Sequence, residues 1–460
     1  MKKLALIFLS FATILSCSND DDNTTPELES LNIVESALIT SDLSNLVAAL
    51  QAADGDLVNV LSGSGPFTVL APNNAAFTAF LSANNFASLA DVPTDILKQI
   101  LLNHVIYDAT LMSTDLIAAG SGYASTEATG AGDNKMSIYF DTSSGVTFNG
   151  ISNVDTPDIE AINGVIHIVD AVIGLPNIVD HAVANPNLTN LVSALTTDGN
   201  TTFTDLLSTP GDFTVFAPTN DGFTAFTNPA GNALNDILSN HVVTEVTATA
   251  SGLANSYVKT AATFGATTNN LSLYINTDNG VTLNGISTVV IPDIIASNGV
   301  IHAVDAVIDI PTVVTFAVAD PNFSTLATAL TTLTPSTDFV ATLSTANGTD
   351  PAPFTVFAPT NDAFAAITVP EESVLTQVLL HHVIGGMNVA SGDLNNPGDT
   401  VAPSLEGDNL TITLPSTNTN IADLTDGSGV SDIGIVTVDV QAGNGVIHVI
   451  DKVAIPNLMN

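Results

Sequence analysis

The chain has no arginine, no tryptophan and a single cysteine in 460 residues. Each absence removes a class of chemistry. Without arginine there is no planar guanidinium fork for bidentate phosphate binding, and no Arg-Gly-Asp adhesion tripeptide. The basic residues are lysines only, six of them against 46 acidic residues, and the formal charge of −40 repels nucleic acid and anionic membrane surfaces. Neither is therefore an expected partner. Such a surface stays soluble in salty medium, where counterions screen its self-repulsion. With no tryptophan and five tyrosines, the chain offers few aromatic platforms for a sugar ring. There is no His-Glu-x-x-His, no paired Cys-x-x-Cys, no EF-hand loop and no Gly-x-Ser-x-Gly elbow. No cofactor is expected and no metal site is assigned; the carboxylates read as a solvated face.

What the chain does have is repetition. Asn-Gly-Val-Ile-His-x-[Val/Ile]-Asp occurs as Asn163 to Asp170, Asn298 to Asp305 and Asn444 to Asp451. Asn-Gly tolerates positive φ and signals a turn, and the β-branched residues behind it signal a strand. From His167 to His302 is 135 residues and from His302 to His448 is 146. That period is too long for a solenoid unit and fits a whole domain, so three tandem domains are expected.

The lone cysteine belongs to the N-terminus. Lys2 and Lys3 precede the apolar run Leu4 to Leu15, which ends at Ser16-Cys17. A charged flank, an apolar stretch of secretory length and a cysteine behind a small residue resemble a bacterial lipoprotein signal (residues 1–17), with Cys17 lipidated after cleavage. Asp20, Asp21 and Asp22 then open a polar tether, residues 18–29, and their position resembles the surface-export signal of Bacteroidetes lipoproteins. The expectation is an exported protein, anchored to the outer membrane through lipid only and exposed on the surface.

Within each repeat, apolar residues at i, i+3, i+4 and i+7 mark a buried helical face: Leu43, Leu46, Val47, Leu50; Leu188, Leu191, Val192, Leu195; Phe323, Leu326, Ala327, Leu330. Short helical segments follow near Leu57 to Leu61, Phe203 to Leu207 and Phe339 to Leu343. A second repeated phrase comes next: Phe67-Thr68-Val69-Leu70-Ala71-Pro72-Asn73-Asn74, Phe213-Thr214-Val215-Phe216-Ala217-Pro218-Thr219-Asn220, and Phe354-Thr355-Val356-Phe357-Ala358-Pro359-Thr360-Asn361. It reads as a strand, stopped by proline, and then an N-cap opening a helix. The first copy lacks the acid that follows in Asp221 and Asp362, which predicts a weaker cap there.

These two phrases, in fixed order and three times over, resemble the two hallmark segments of the fasciclin domain family, which includes transforming-growth-factor-induced protein. The resemblance covers nearly all of the chain from about Ser30 onward. It implies an α+β fold, a twisted β-wedge with several helices per domain, and a role in surface adhesion or matrix interaction. The expected domains are residues 30–174, 175–309 and 310–460. Domain three departs most, between Asn409 and Asp439, where a longer stretch is rich in Thr, Asn, Asp and Gly.

Two histidines recur in each copy. His104, His241 and His382 continue the helical faces Leu97, Ile100, Leu101; Leu234, Ile237, Leu238; and Leu375, Val378, Leu379. In many relatives a Tyr-His pair here is linked to integrin binding, but Asn103, Asn240 and His381 stand where the tyrosine would be. An apolar helical face predicts a structural role. His167, His302 and His448 lie three residues before Asp170, Asp305 and Asp451, and residues three apart on a strand point to opposite faces, so the two are not expected to pair. With the cysteine assigned to lipidation and no nucleophile elbow present, catalysis is not expected. The expected function is non-enzymatic adhesion to a surface protein or polysaccharide, and the alternative is a glycan- or small-molecule-binding lipoprotein serving uptake. Proline-containing connectors with almost no linker, Leu175-Pro176-Asn177 and Ile310-Pro311-Thr312, predict a semi-rigid rod.

Overall fold

The computed structural model describes residues 31–417 and 419–458. The expected leader at 1–17 with Cys17, and the expected tether at 18–29, lie outside them. The described chain forms three sheets of seven strands, one per repeat, each with helices packed against it. In the first sheet the order is Val105–Tyr107, Phe67–Pro72, Gly164–Val169, Ser152–Ala161, Thr147–Phe148, Lys135–Asp141, Ser121–Thr129. The two hallmark phrases are its central strands, side by side and parallel, with Phe67 opposite Gly164 and Pro72 opposite Val169. The second and third sheets repeat this, Phe213 facing Gly299 and Phe354 facing Gly445. The other pairings are antiparallel.

Side chains alternate across a strand, so each central strand feeds two cores. Phe67, Val69 and Ala71 pack against the helices, with Leu46, Leu97 and Leu101. Leu70 points the other way, to Ile138, Phe140 and Phe148 of the outer strands, which fold back over the opposite face. Phe216 and Phe357 do the same in the second and third repeats. Covering both faces buries every residue of Phe67–Pro72, Phe213–Pro218 and Phe354–Pro359. Burying one such phenylalanine contributes about 2–3 kcal/mol. The product is the α+β wedge that the resemblance implies.

Four local readings change. The helical face at Leu43 begins as a 3-10 turn, Ser41–Leu43, before the helix Ser44–Ala52. A helix that the periodicity missed precedes it in each repeat, at Ile33–Ile39, Ile178–Ala184 and Val313–Ala319. The caps Asn32 with Glu35 and Asn177 with Asp180 are its legible signals. The cap of the first domain's strand-stop phrase is not weakened: Asn73 accepts from the Ala76 N–H at 2.8 Å, and its helix runs Asn74–Ala83. Lastly, the hallmark glycine is required by close approach more than by φ. A Cβ on Gly164, Gly299 or Gly445 would lie 2.0, 2.5 or 2.4 Å from a carbonyl oxygen of the parallel strand, while only Gly164 has a positive φ, at 152°. In domain three the stretch after Asn409 pairs in register, Asn409 opposite Pro403 and Leu424 opposite both Ile412 and Ile433.

No single described helix is long and apolar enough to cross a membrane. Ile33–Ile39 and Ser41–Ala52 meet at 104° and carry core residues such as Ile33, Leu46 and Leu50.

Candidate functional site

The hallmark asparagine is a staple. Asn163 Oδ1 accepts from the Ile33 N–H at 2.9 Å, satisfying an otherwise orphaned donor at the start of the missed helix. Its Nδ2 donates to the Leu61 and Gly63 carbonyls at 2.8 Å, where the next short helix ends. Asn298 does the same for Ile178, Leu207 and Thr209, and Asn444 for Val313, Leu343 and Thr345. One amide thus pins two helices to the turn before the central strand.

The first histidine of each repeat lies just beyond its helix and is buried. His104 Nδ1 donates to the Ile100 carbonyl at 2.8 Å, and Nε2 accepts from the Ile173 N–H at 3.0 Å. His241 bridges Ile237 to Ile308, and His382 bridges Val378 to Ala454, in the same way. One donor and one acceptor contact define a neutral ring. Burial lowers all three pKa values to about 4, against the opposing pull of the helix carbonyl.

The second histidine sits inside the central strand. His167 Nδ1 accepts from the Asp158 N–H at 3.2 Å, and Nε2 donates to the Leu111 carbonyl at 2.8 Å. His302 and His448 repeat the arrangement with Asp293 and Ala248, and with Asp439 and Val389. Burial lowers the pKa of both. Asp170, Asp305 and Asp451 are turned elsewhere: each accepts from a backbone N–H of the neighbouring strand, of Asn153, Thr288 and Gly434. The aspartate that does meet the histidine was missed from the sequence. Asp158, Asp293 and Asp439 share a left-handed φ of 58–61° at a register shift of their strand, and their carboxylates accept from the Ser113, Ala250 and Ser391 N–H groups at 2.7 Å. Each stands five residues before the hallmark asparagine, a spacing that could have revealed it.

Just before the first histidine, Asn103 and Asn240 tie the chain's return to an outer strand. Asn103 Nδ2 donates to Gly174 O and its Oδ1 accepts from Thr126; Asn240 joins Asp309 to Thr260. His381 takes this place in domain three. Its ring lies near Glu406 and Asp408, and ligand atoms of the three lie within 4.8 Å of one another. The hydrogen bonds do not suit a cation: Nε2 accepts from the Gly427 N–H at 3.0 Å, so Nδ1 carries the proton, directed at Ser404 and at Glu406 3.3 Å away. That proton fills the position a metal would need.

The domains meet through equivalent joints. Across the first, Ile295 N–H donates to Ser137 Oγ at 2.9 Å, Asn185 Nδ2 donates to the Tyr123 hydroxyl, and the Tyr123 and His181 rings lie 5.9 Å apart. Across the second, Gln441 N–H donates to Ser272 Oγ at 3.0 Å, the Tyr257 hydroxyl donates to Asp320 at 2.9 Å, and Tyr257 meets Phe316 edge-on at 5.5 Å. Serine, tyrosine and a polar partner recur at matching positions, while His181 at the first joint is replaced by Phe316 at the second.

Among protein families, the Fasciclin domain matches residues 41–176, 186–311 and 321–456. The chain is 27% identical to periostin of Homo sapiens over 446 residues, covering 90% of this chain and 46% of that protein. It thus spans about half the length of this relative. An uncharacterized protein of Synechocystis sp. is 35% identical over 150 residues, 31% of this chain and 96% of its own length. Among solved structures, a FAS1 domain pair from the insect cell adhesion molecule Fasciclin I aligns with a TM-score of 0.37 and 20% identity, over 58% of this chain and 96% of its own.

Proposed function

The chain belongs to the fasciclin domain family, and from that premise we propose that it is a non-enzymatic surface protein for adhesion or matrix interaction. Fasciclin domains are linked to those roles in homologous chains. The observation that carries the reading is the use of the hallmark side chains. All six repeated histidines and the three hallmark asparagines are buried and hydrogen-bonded within their own domains. The repeated motif is therefore architecture, and recognition is left to the outer, acidic surfaces. In this reading residues 1–17 are a signal ending at a lipidated Cys17, residues 18–29 are a tether, and domains at 30–174, 175–309 and 310–460 project from the outer membrane. The partner is a surface protein or a polysaccharide, with no nucleic acid and no membrane contact beyond the lipid.

The test pairs a cell-attachment assay of a deletion strain with a glycan array probed by the fragment from Ser18 onward. The expected result is reduced attachment, restored by the parent protein. Unchanged attachment together with saturable binding to one glycan would replace this reading with the uptake alternative.

A further inference from the structure

The first domain holds a cavity of about 320 Å³ beneath the helix Leu57–Leu61, lined by Leu50, Leu57, Leu61, Leu101 and Tyr107, with Glu127 among its walls. Val60 and Tyr107 also line it and are about half exposed, so it opens to solvent. The volume falls in the range of small-molecule sites, and an apolar lining with few polar groups is their usual chemistry.

Among the lining positions that differ from the other domains, two bear on what the cavity could hold. The asparagine staples align Leu61 with Leu207 and Leu343, which places Leu57 level with Phe203 and Phe339. Both phenylalanines are buried, and each ring is larger than the Leu57 side chain that lines the cavity. The contacts of Asn103 with Thr126, Asn240 with Thr260 and His381 with Ser404 place Glu127 level with Ala261 and Leu405. Leu405 packs into the core of domain three, whereas Glu127 brings a carboxylate whose Oε2 is bridged by Lys135 Nζ at 2.6 Å.

We propose that the first domain binds an uncharged single-chain aliphatic amphiphile bearing a hydroxyl head. The apolar wall takes the chain. Glu127, with one oxygen engaged by Lys135, takes a hydrogen bond from the hydroxyl. A carboxylate head would face Glu127 and a chain of net charge −40. A cationic head would compete with Lys135 for its partner.

Titration calorimetry of residues 18–460 with n-decanol and with n-decanoate, at neutral pH, tests this. Decanol is expected to bind saturably with one site per chain, and decanoate to bind at least about tenfold more weakly because its charge is brought against another carboxylate. Leu57→Phe is expected to weaken decanol binding at least about tenfold, because the larger ring takes up space in the site. Glu127→Leu, which installs the domain-three residue, provides a second filling variant should the first not fold. Absence of saturable decanol binding, binding that survives in a folded filling variant, or equal affinity for decanoate overturns the proposal.

Discussion

Replacing Asn298 with alanine isolates the staple on which each domain depends. In the parent, Asn298 is buried and makes three hydrogen bonds, accepting from Ile178 N–H at 3.0 Å and donating to the Leu207 and Thr209 carbonyls at 2.7 and 2.8 Å. At a net value of about 1 kcal/mol for each bond, their loss is expected to destabilise the middle domain by about 3 kcal/mol. For a domain of this size that lowers its melting temperature by about 10 °C. Asn298→Asp sharpens the test, because it retains the acceptor for Ile178 but sets a carboxylate oxygen against two carbonyls. At pH 7 it is expected to be less stable than Asn298→Ala. Differential scanning calorimetry of the parent and both variants gives the numbers. A shift in Asn298→Ala below about 0.5 kcal/mol, or an aspartate variant more stable than the alanine one, would refute the reasoning.

Acid sensitivity follows from the buried histidines. His104, His181, His241 and His382 have pKa values lowered to about 4, first of all by burial, while the unfolded chain protonates near the ordinary 6.5. The unfolded state binds the extra protons between those limits, so stability is complete above pH 6.5 and declines as pH falls toward 4, by about 3 kcal/mol per histidine across the window. Urea unfolding at pH 7, 6 and 5 should show this slope, and His241→Gln should reduce it by one proton; a flat profile would contradict it. A weak approach to the Ile295 backbone aside, neither ring nitrogen of the fully buried His181 makes a hydrogen bond of normal geometry among the described residues, and the second joint places Phe316 at the same position. His181→Phe is accordingly expected to stabilise by about 1 kcal/mol in the same unfolding assay. Asp320→Ala removes the acceptor of Tyr257 across the second joint and the cap of Asn322 N–H, for an expected loss of about 2 kcal/mol, whereas Tyr257→Phe spares the cap and should cost less. Equal losses in calorimetry would show that the joint bond contributes everything and the cap nothing.

Much of this architecture is legible in the order of residues. The β-favouring run Phe67-Thr68-Val69-Leu70 marks a strand and the spacing of Leu97, Ile100 and Leu101 marks a helical face, because both signals are set within a few residues. The strand-stop proline and the following Asn73, Thr219 or Thr360 are local signals too, and the caps form where they stand. The helix Ile33–Ile39 escaped because seven residues carry too little periodicity to stand out beside the longer face that follows. Asp158 escaped because its importance lies in a partner nine residues away across a shifted ladder, at His167.

By itself, then, the sequence determined that one unit is written three times, which phrases are strands, which faces of the helices are apolar, and which residues begin them. Those properties depend on neighbours a few positions away. Only the tertiary structure decided that the two hallmark phrases lie parallel at the centre of each sheet, that the hallmark glycine is required by a carbonyl oxygen 2.0–2.5 Å from where its Cβ would stand, and that Ser137 and Ser272 receive the next domain. The physical reason is one of range. Hydrogen-bond partners and close contacts between segments on the order of 100 residues apart exist only after the chain has returned on itself, and no periodicity within either segment encodes which of the other's atoms it will meet.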